Sequence, residues 1–205
     1  DMAHTRAAHR EFAAHHLGGV DHDVASVYSG VVPFDFPPAS LVGDGFVSLG
    51  DAAFQNKPFN GEGIASGMEA ARIAVPVIAE ALRHGPALRR SLWRYNAAYF
   101  RGVGAGFAKI RGICEMLVDL SPREFDWLYR MKFITRKDVA AAWFRQKSAK
   151  GPLDLIRLAL NGLRNRELFT KLIEALRLGT SLGSLYRLYP LLPSRIEEWE
   201  SRLDD

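Results

Sequence analysis

Apolar positions change period along the chain. Met2 to Leu17 reads as one helix, stopped by Gly18-Gly19. Val24 to Val32 (VASVYSGVV) is rich in β-formers and bounded by Asp21-His22-Asp23 and Pro33. Pro37-Pro38 marks a loop and Asp44-Gly45 a tight turn. Phe46 to Leu49 (FVSL) is then predicted as a short buried strand ending at Gly50-Asp51. From Gly63 the period becomes helical, with Ile64, Met68, Ala71, Val75, Ile78 and Leu82 at spacings of four and three. Ile73 and Val77 are apolar on another side, so this helix is expected to be buried on most faces. Pro76 inside it should bend it or remove a hydrogen bond, and Gly85-Pro86 should close it.

Beyond that point the pattern is helical throughout. Leu88, Leu92, Tyr95 and Tyr99 form one stripe. Ser121-Pro-Arg-Glu124, Thr135-Arg-Lys-Asp138 and Ser194-Arg-Ile-Glu197 have the spacing of capping boxes, the first with proline at the first helical position. Gly102, Gly104 and Gly106 suggest a helix break or close helix packing, and Gly162, Gly179 and Pro190 suggest breakpoints. The predicted organisation is a mixed α/β segment, residues 1–85, followed by an all-helical segment, residues 86–205.

Composition narrows the class. Hydrophobic residues make up 48% and charged residues 24%, the balance of a globular chain. A single cysteine excludes a disulfide scaffold and fits a reducing, cytoplasmic compartment. No apolar run approaches the ~20 residues of a membrane span. The net charge of +4 is uneven: residues 1–100 carry −2 and residues 101–205 carry +6. Cations such as Arg157, Arg164 and Lys171 are spaced singly and interleave with acids, as on a solvated helix face; a surface facing anionic lipid or phosphate is the alternative. No nucleic-acid-binding pattern occurs.

The stretch able to carry chemistry is Phe46 to Ala71, FVSLGDAAFQNKPFNGEGIASGMEAA. Asp51, after a strand, can accept hydrogen bonds from ligand hydroxyls at the sheet edge where α/β folds bind ligands. Gly61 and Gly63 have no Cβ, so a flat or phosphorylated ligand can approach their backbone. The N–H groups of Gly63 and Ile64 open a long helix and favour negative charge. Gly61 to Gly67 is GxGxxxG, too far beyond the strand for a dinucleotide fingerprint, and no P-loop Lys-Ser/Thr is present. Glu62 suits either a dipole-capping or a catalytic role, and Asp51 by itself would suit a turn carboxylate.

Gly50-Asp51-Ala52-Ala53, then Pro58-x-x-Gly61-x-Gly63-Ile64, then a small-residue helix with Met68-Glu69-Ala70-Ala71, resembles the second FAD-binding motif of the para-hydroxybenzoate-hydroxylase-like flavoproteins. Within that superfamily it is most similar to the geranylgeranyl reductase branch, over roughly Val31 to Gly102. The resemblance implies a C-terminal remnant of an FAD-binding Rossmann-like domain, then a helical segment. It implies that Asp51 binds the ribityl chain of FAD, that Pro58 and Gly61 shape the wall beside the isoalloxazine, that the Gly63 and Ile64 N–H groups face its N1–C2=O edge, and that Gly50, Ala52 and Glu62 belong to the same cofactor-binding stretch. Phe54 stands where the family often has a small residue or histidine.

The same resemblance implies an N-terminal GxGxxG unit for the ADP half of FAD, which this chain lacks. The chain, which begins Asp1-Met2 within a helical pattern, is therefore expected to be the C-terminal portion of a longer flavoenzyme and to bind FAD poorly alone. The implied function is reduction of prenyl-lipid C=C bonds by hydride from reduced flavin, with NAD(P)H or a small redox protein as donor. Alternatives are a flavin monooxygenase or halogenase, and a non-catalytic helical module that binds a membrane surface or protein partner. No catalytic acid is assigned. His4, His9, His15, His16 and His22 lack metal-site spacing and suit a polar helix face. Cys114 suits a buried inert thiol, and Trp93, Tyr95, Tyr99 and Phe100 suit core, with a prenyl pocket as the other use for such residues.

Overall fold

The computed structural model describes residues 2–18, 26, 28, 30, 32, 33, 35–143 and 160–204. The chain divides into two units, Asp1–Val31 and Val32–Asp205. The first contains α1 (Met2–Leu17), as predicted. His4, His9, His15 and His16 are exposed on it. The β-rich stretch Val24–Val32 lies largely outside the described residues, and its described members Ser26, Tyr28, Gly30 and Val32 form no strand.

In the second unit two strands of two residues each, β1 (Val42–Gly43) and β2 (Phe46–Val47), pair antiparallel around the Asp44-Gly45 turn, with Val42 opposite Val47. This corrects the expected buried strand. Phe46 is more than half exposed, and the strand stops at Val47, paired antiparallel in a hairpin. Its anchor is Asn96, fully buried, which accepts from the Leu41 N–H at 3.1 Å and donates to Ser40 Oγ at 3.1 Å.

The rest is helical: α2 (Ile64–Arg83), α3 (Arg89–Tyr99), α4 (Ala105–Val118), α5 (Pro122–Arg130), α6 (Arg136–Trp143), α7 (Arg166–Arg187) and α8 (Ile196–Asp204). Between α3 and α4 lies no break. Phe100–Gly104 is a π-helical turn that carries one helix into the next. Ser121 and Thr135 cap α5 and α6 as predicted, each accepting from the backbone N–H three residues on. Glu124 completes the first box. Its carboxyl is held down at about 2, first by the Ser121 hydroxyl and backbone N–H and then by Lys171 of α7 at 3.3 Å. Ser194 makes no such box, because it lies inside a 3₁₀ turn, Pro193–Arg195. Gly179 is no breakpoint either. It is buried within α7, where a Cβ would run into the Lys109 carbonyl of α4, and Gly112 of α4 meets Ala175 and Gly179 in the same way.

The main core is aromatic. Phe100 stacks on Tyr189 at 4.4 Å, Trp93 stacks on Tyr189 at 5.7 Å, and Tyr186 and Trp199 meet edge-on at 5.3 Å. Their polar ends find backbone carbonyls: Trp93 Nε1 donates to Pro190, Trp199 Nε1 to Leu185 and Tyr189 Oη to Ala39. Trp93, Tyr95, Tyr99 and Phe100 are thus core. Cys114 is buried, and burial pushes its thiol up to about 11.

Helix α2 reverses one expectation. Its small residues Ser66, Ala70, Ala74 and Ala81 are buried, whereas Ile64, Met68, Val75 and Leu82 are exposed, Ile64 at 84% and Met68 at 68%. Small residues let a helix approach its neighbour closely, so that face packs and the larger apolar stripe faces outward.

Candidate functional site

The Gly50-Asp51 turn and the start of α2 form one structure. Gly50 takes φ +64 and opens a 3₁₀ turn, Gly50–Ala53, so Asp51 rides on that turn and not on a strand end. Phe54 closes it in a left-handed conformation, its N–H donating to the Asp51 carbonyl at 3.0 Å. Gly67 of α2 lies against the Gly50 backbone, such that a Cβ on Gly67 would be 3.5 Å from Gly50 Cα. Asp51 and Ala52 are exposed, and Asp51 Oδ1 would lie 2.8 Å from a Cβ on Gly63, directly beside the helix N-terminus.

Three consecutive polar residues hold this arrangement, and all three are buried: Gln55, Asn56 and Lys57. Gln55 accepts from the Gly50 N–H at 2.8 Å and donates to Tyr95 Oη at 2.7 Å, bolting the turn to α3. Burial pushes the Tyr95 hydroxyl up to about 12 against the pull of Gln55, so it stays protonated at neutral pH. Tyr95→Phe would leave the buried Gln55 amide without its acceptor. A loss of about 1–3 kcal/mol is expected in urea unfolding, and wild-type stability would remove the assigned bond.

Asn56 donates to the Pro33 carbonyl at 3.1 Å, while its buried Oδ1 has no hydrogen-bond partner. A Cβ on Gly63 would collide with that oxygen. Lys57, only 5% exposed, closes the following loop. Its N–H donates to the Glu62 carbonyl, its carbonyl accepts from Gly61 N–H at 2.9 Å, and its Nζ lies 3.1 Å from Glu62 Oε2. Gly61 turns the loop at φ +68, and Pro58 lies half-buried within it.

Glu62 caps α2. Its Oε1 accepts from Ala65 N–H at 2.6 Å and its carbonyl from Ser66 Oγ at 3.0 Å. Partial burial pushes its carboxyl up, but Lys57 and the Ala65 and Ser66 N–H groups outweigh that and leave it below its ordinary value. A depressed pKa contributes stability at pH values above 4.5, lost as pH falls through the folded value. Glu62→Gln should therefore cost about 1 kcal/mol at pH 7. The gap to wild type should shrink in urea titrations at pH 3; an unchanged gap would mean that the charge contributes nothing.

The N–H groups of Gly63 and Ile64 donate to no described residue, as expected for the first groups of a helix. Of the eight residues singled out in the sequence, Gly50, Asp51, Gly61, Glu62, Gly63 and Ile64 lie at or beside this helix end, whereas Pro58 lines a small hollow with Phe36, Phe54 and Tyr99, and Ala52 is exposed on the 3₁₀ turn. What this end offers is two backbone donors and a carboxylate. Gln55, Asn56 and Lys57 carried no signal of burial, because their partners Tyr95 and Pro33 are remote in sequence.

The chain is 27% identical over 180 residues to a digeranylgeranylglycerophospholipid reductase of Sulfolobus acidocaldarius, covering 85% of this chain and 39% of that protein. It is 30% identical over 117 residues to the enzyme of that name from Methanothrix thermoacetophila, and 36% identical over 89 residues to digeranylgeranylglycerophospholipid reductase 1 of Methanothermobacter thermautotrophicus. The chain is thus similar, over part of their length, to proteins named digeranylgeranylglycerophospholipid reductase. It spans 29% and 22% of the second and third of these relatives, whose names make them reductases. No protein-family model matches it. Among the described residues, no helix is long and apolar enough to cross a membrane.

Proposed function

We propose that this chain is the part of an FAD-dependent prenyl-lipid reductase that holds the ribityl chain and the pyrimidine edge of the flavin. The observation that carries this reading is the end of α2, where the unsatisfied N–H groups of Gly63 and Ile64 lie beside the exposed Asp51 carboxylate. The fit is chemical. Asp51 accepts from ribityl hydroxyls, the two N–H groups donate to the C2 carbonyl, and the positive end of α2 lowers the energy of negative charge there. The absence of a Cβ at Gly63 lets the Asn56 and Asp51 side-chain oxygens pack against this helix end, which sets Asp51 beside the two N–H groups. Bound FAD would supply hydride to a substrate double bond.

The relatives are longer than this chain, and the reading puts the unit for the ADP half of FAD in that further length. The exposed stripe Ile64, Met68, Val75 and Leu82 would pack there. The relatives' names support a lipid substrate and favour reduction over the oxygen-using alternatives.

The test is anaerobic turnover of a polyprenyl phospholipid by the full-length protein with chemically reduced FAD. Loss of double bonds by mass spectrometry is expected. Turnover only with oxygen, giving a hydroxylated product, would overturn the reading.

A further inference from the structure

A second surface lies where α7 passes into α8. Three leucines within five residues stand out of it: Leu188, Leu191 and Leu192 are 63%, 64% and 60% exposed. Single exposed leucines are ordinary, but such a group around one turn is not. Their exposure does not come from a loose turn. Tyr189 and Pro190 between them are buried, the Tyr189 carbonyl accepts from Arg101 Nε at 2.7 Å, and the Pro190 carbonyl accepts from Trp93 Nε1 at 2.9 Å. The core thus holds the leucines outward.

The leucines line a groove of about 410 Å³ whose other walls carry Arg101, Arg195 and Arg202. Glu198 is the acid among its described lining residues, and it is paired with Arg202 at 3.1 Å. The groove therefore combines an apolar tip with a net positive rim. Guanidinium groups stay charged at any physiological pH and bind phosphate oxygens in pairs. An apolar tip that enters the acyl boundary, flanked by cations at headgroup depth, is how a protein rests on an anionic bilayer.

We propose that the α7–α8 turn is a membrane-docking surface: Leu188, Leu191 and Leu192 insert into the interface of an anionic bilayer while Arg101, Arg195 and Arg202 bind its phosphates. The inference goes beyond the flavin reading and does not depend on it, since the groove shares no residue with the α2 site.

The test is sedimentation of the full-length protein with vesicles of phosphatidylcholine alone and of phosphatidylcholine mixed equally with phosphatidylglycerol. Binding to the mixed vesicles, little binding to the neutral ones, and weakening with salt are expected. The pair Leu191→Ser and Leu192→Ser should lower partitioning roughly tenfold or more. The pair Arg195→Gln and Arg202→Gln should lower it and flatten its salt dependence. All four positions are exposed, so thermal melting and flavin binding should stay as in wild type. The proposal is overturned if wild type ignores the mixed vesicles or if both paired variants bind like wild type. It is also overturned if the leucine pair changes only the oligomeric state in ultracentrifugation, which would make this face a protein interface.

Discussion

Gly179→Ala is expected to destabilise the protein by about 2–3 kcal/mol, through overpacking of a close helix pair. For a chain of this length that lowers the melting midpoint by roughly 4–12 °C. The added Cβ would strike the Lys109 carbonyl oxygen and approach its carbon to 3.2 Å. Both obstacles are backbone, so no side chain can turn aside, and α4 and α7 must separate. Separation would also loosen Gly112, which lies against the same turn of α7, and Gly183, whose Cβ would lie 3.0 Å from Lys109 Cβ. Gly106→Ala is the control. It lies on the same α4, with nothing near its absent Cβ and no positive φ. Alanine there should be neutral or stabilise by about 0.5 kcal/mol. Thermal unfolding followed by circular dichroism separates the two, and equal midpoints for both variants would rule out close packing as the reason for Gly179.

Gly63→Val should weaken FAD binding by the full-length protein about a hundredfold, or about 2.7 kcal/mol. Its Cβ would overlap Asn56 Oδ1 and come within 2.8 Å of Asp51 Oδ1. Asn56 cannot withdraw cheaply, because it is buried and its amide is held by the Pro33 carbonyl. The strain would fall on the Asp51 turn and on the approach to the two free N–H groups. Met68→Leu, on the exposed stripe one turn further along α2, should melt like wild type. Flavin fluorescence titration gives the affinity. A folded Gly63→Val protein that binds FAD like wild type would sink the assignment of this helix end.

Local signals in the sequence were legible where a local rule applies. The boxes at Ser121 and Thr135 formed because capping needs only residues three apart. The Gly50-Asp51 and Gly61-x-Gly63 glycines could be placed because Gly50 and Gly61 require positive φ and Gly63 a close approach. Ser194 fitted the same spacing, yet Pro193 opened a 3₁₀ turn there. Gly179 looked like a breakpoint, because a glycine that ends a helix and one that lets two helices touch look the same in one dimension.

Helical period determined by itself that a long helix begins at Gly63 and that a second helix with an aromatic stripe follows it, whereas the turn at Gly50-Asp51 and the burial of that stripe came from the fold. Only the tertiary structure decided which face of α2 is buried, since helical period gives an apolar stripe and not its partner. Close approach selected the alanine face and left Ile64 and Met68 outside. Tertiary structure alone also made Gln55, Asn56 and Lys57 interior residues. The amide groups of Gln55 and Asn56 donate to Tyr95 and Pro33, which are distant along the chain and reach them only once it is folded, and Lys57 is buried where the loop closes onto Glu62.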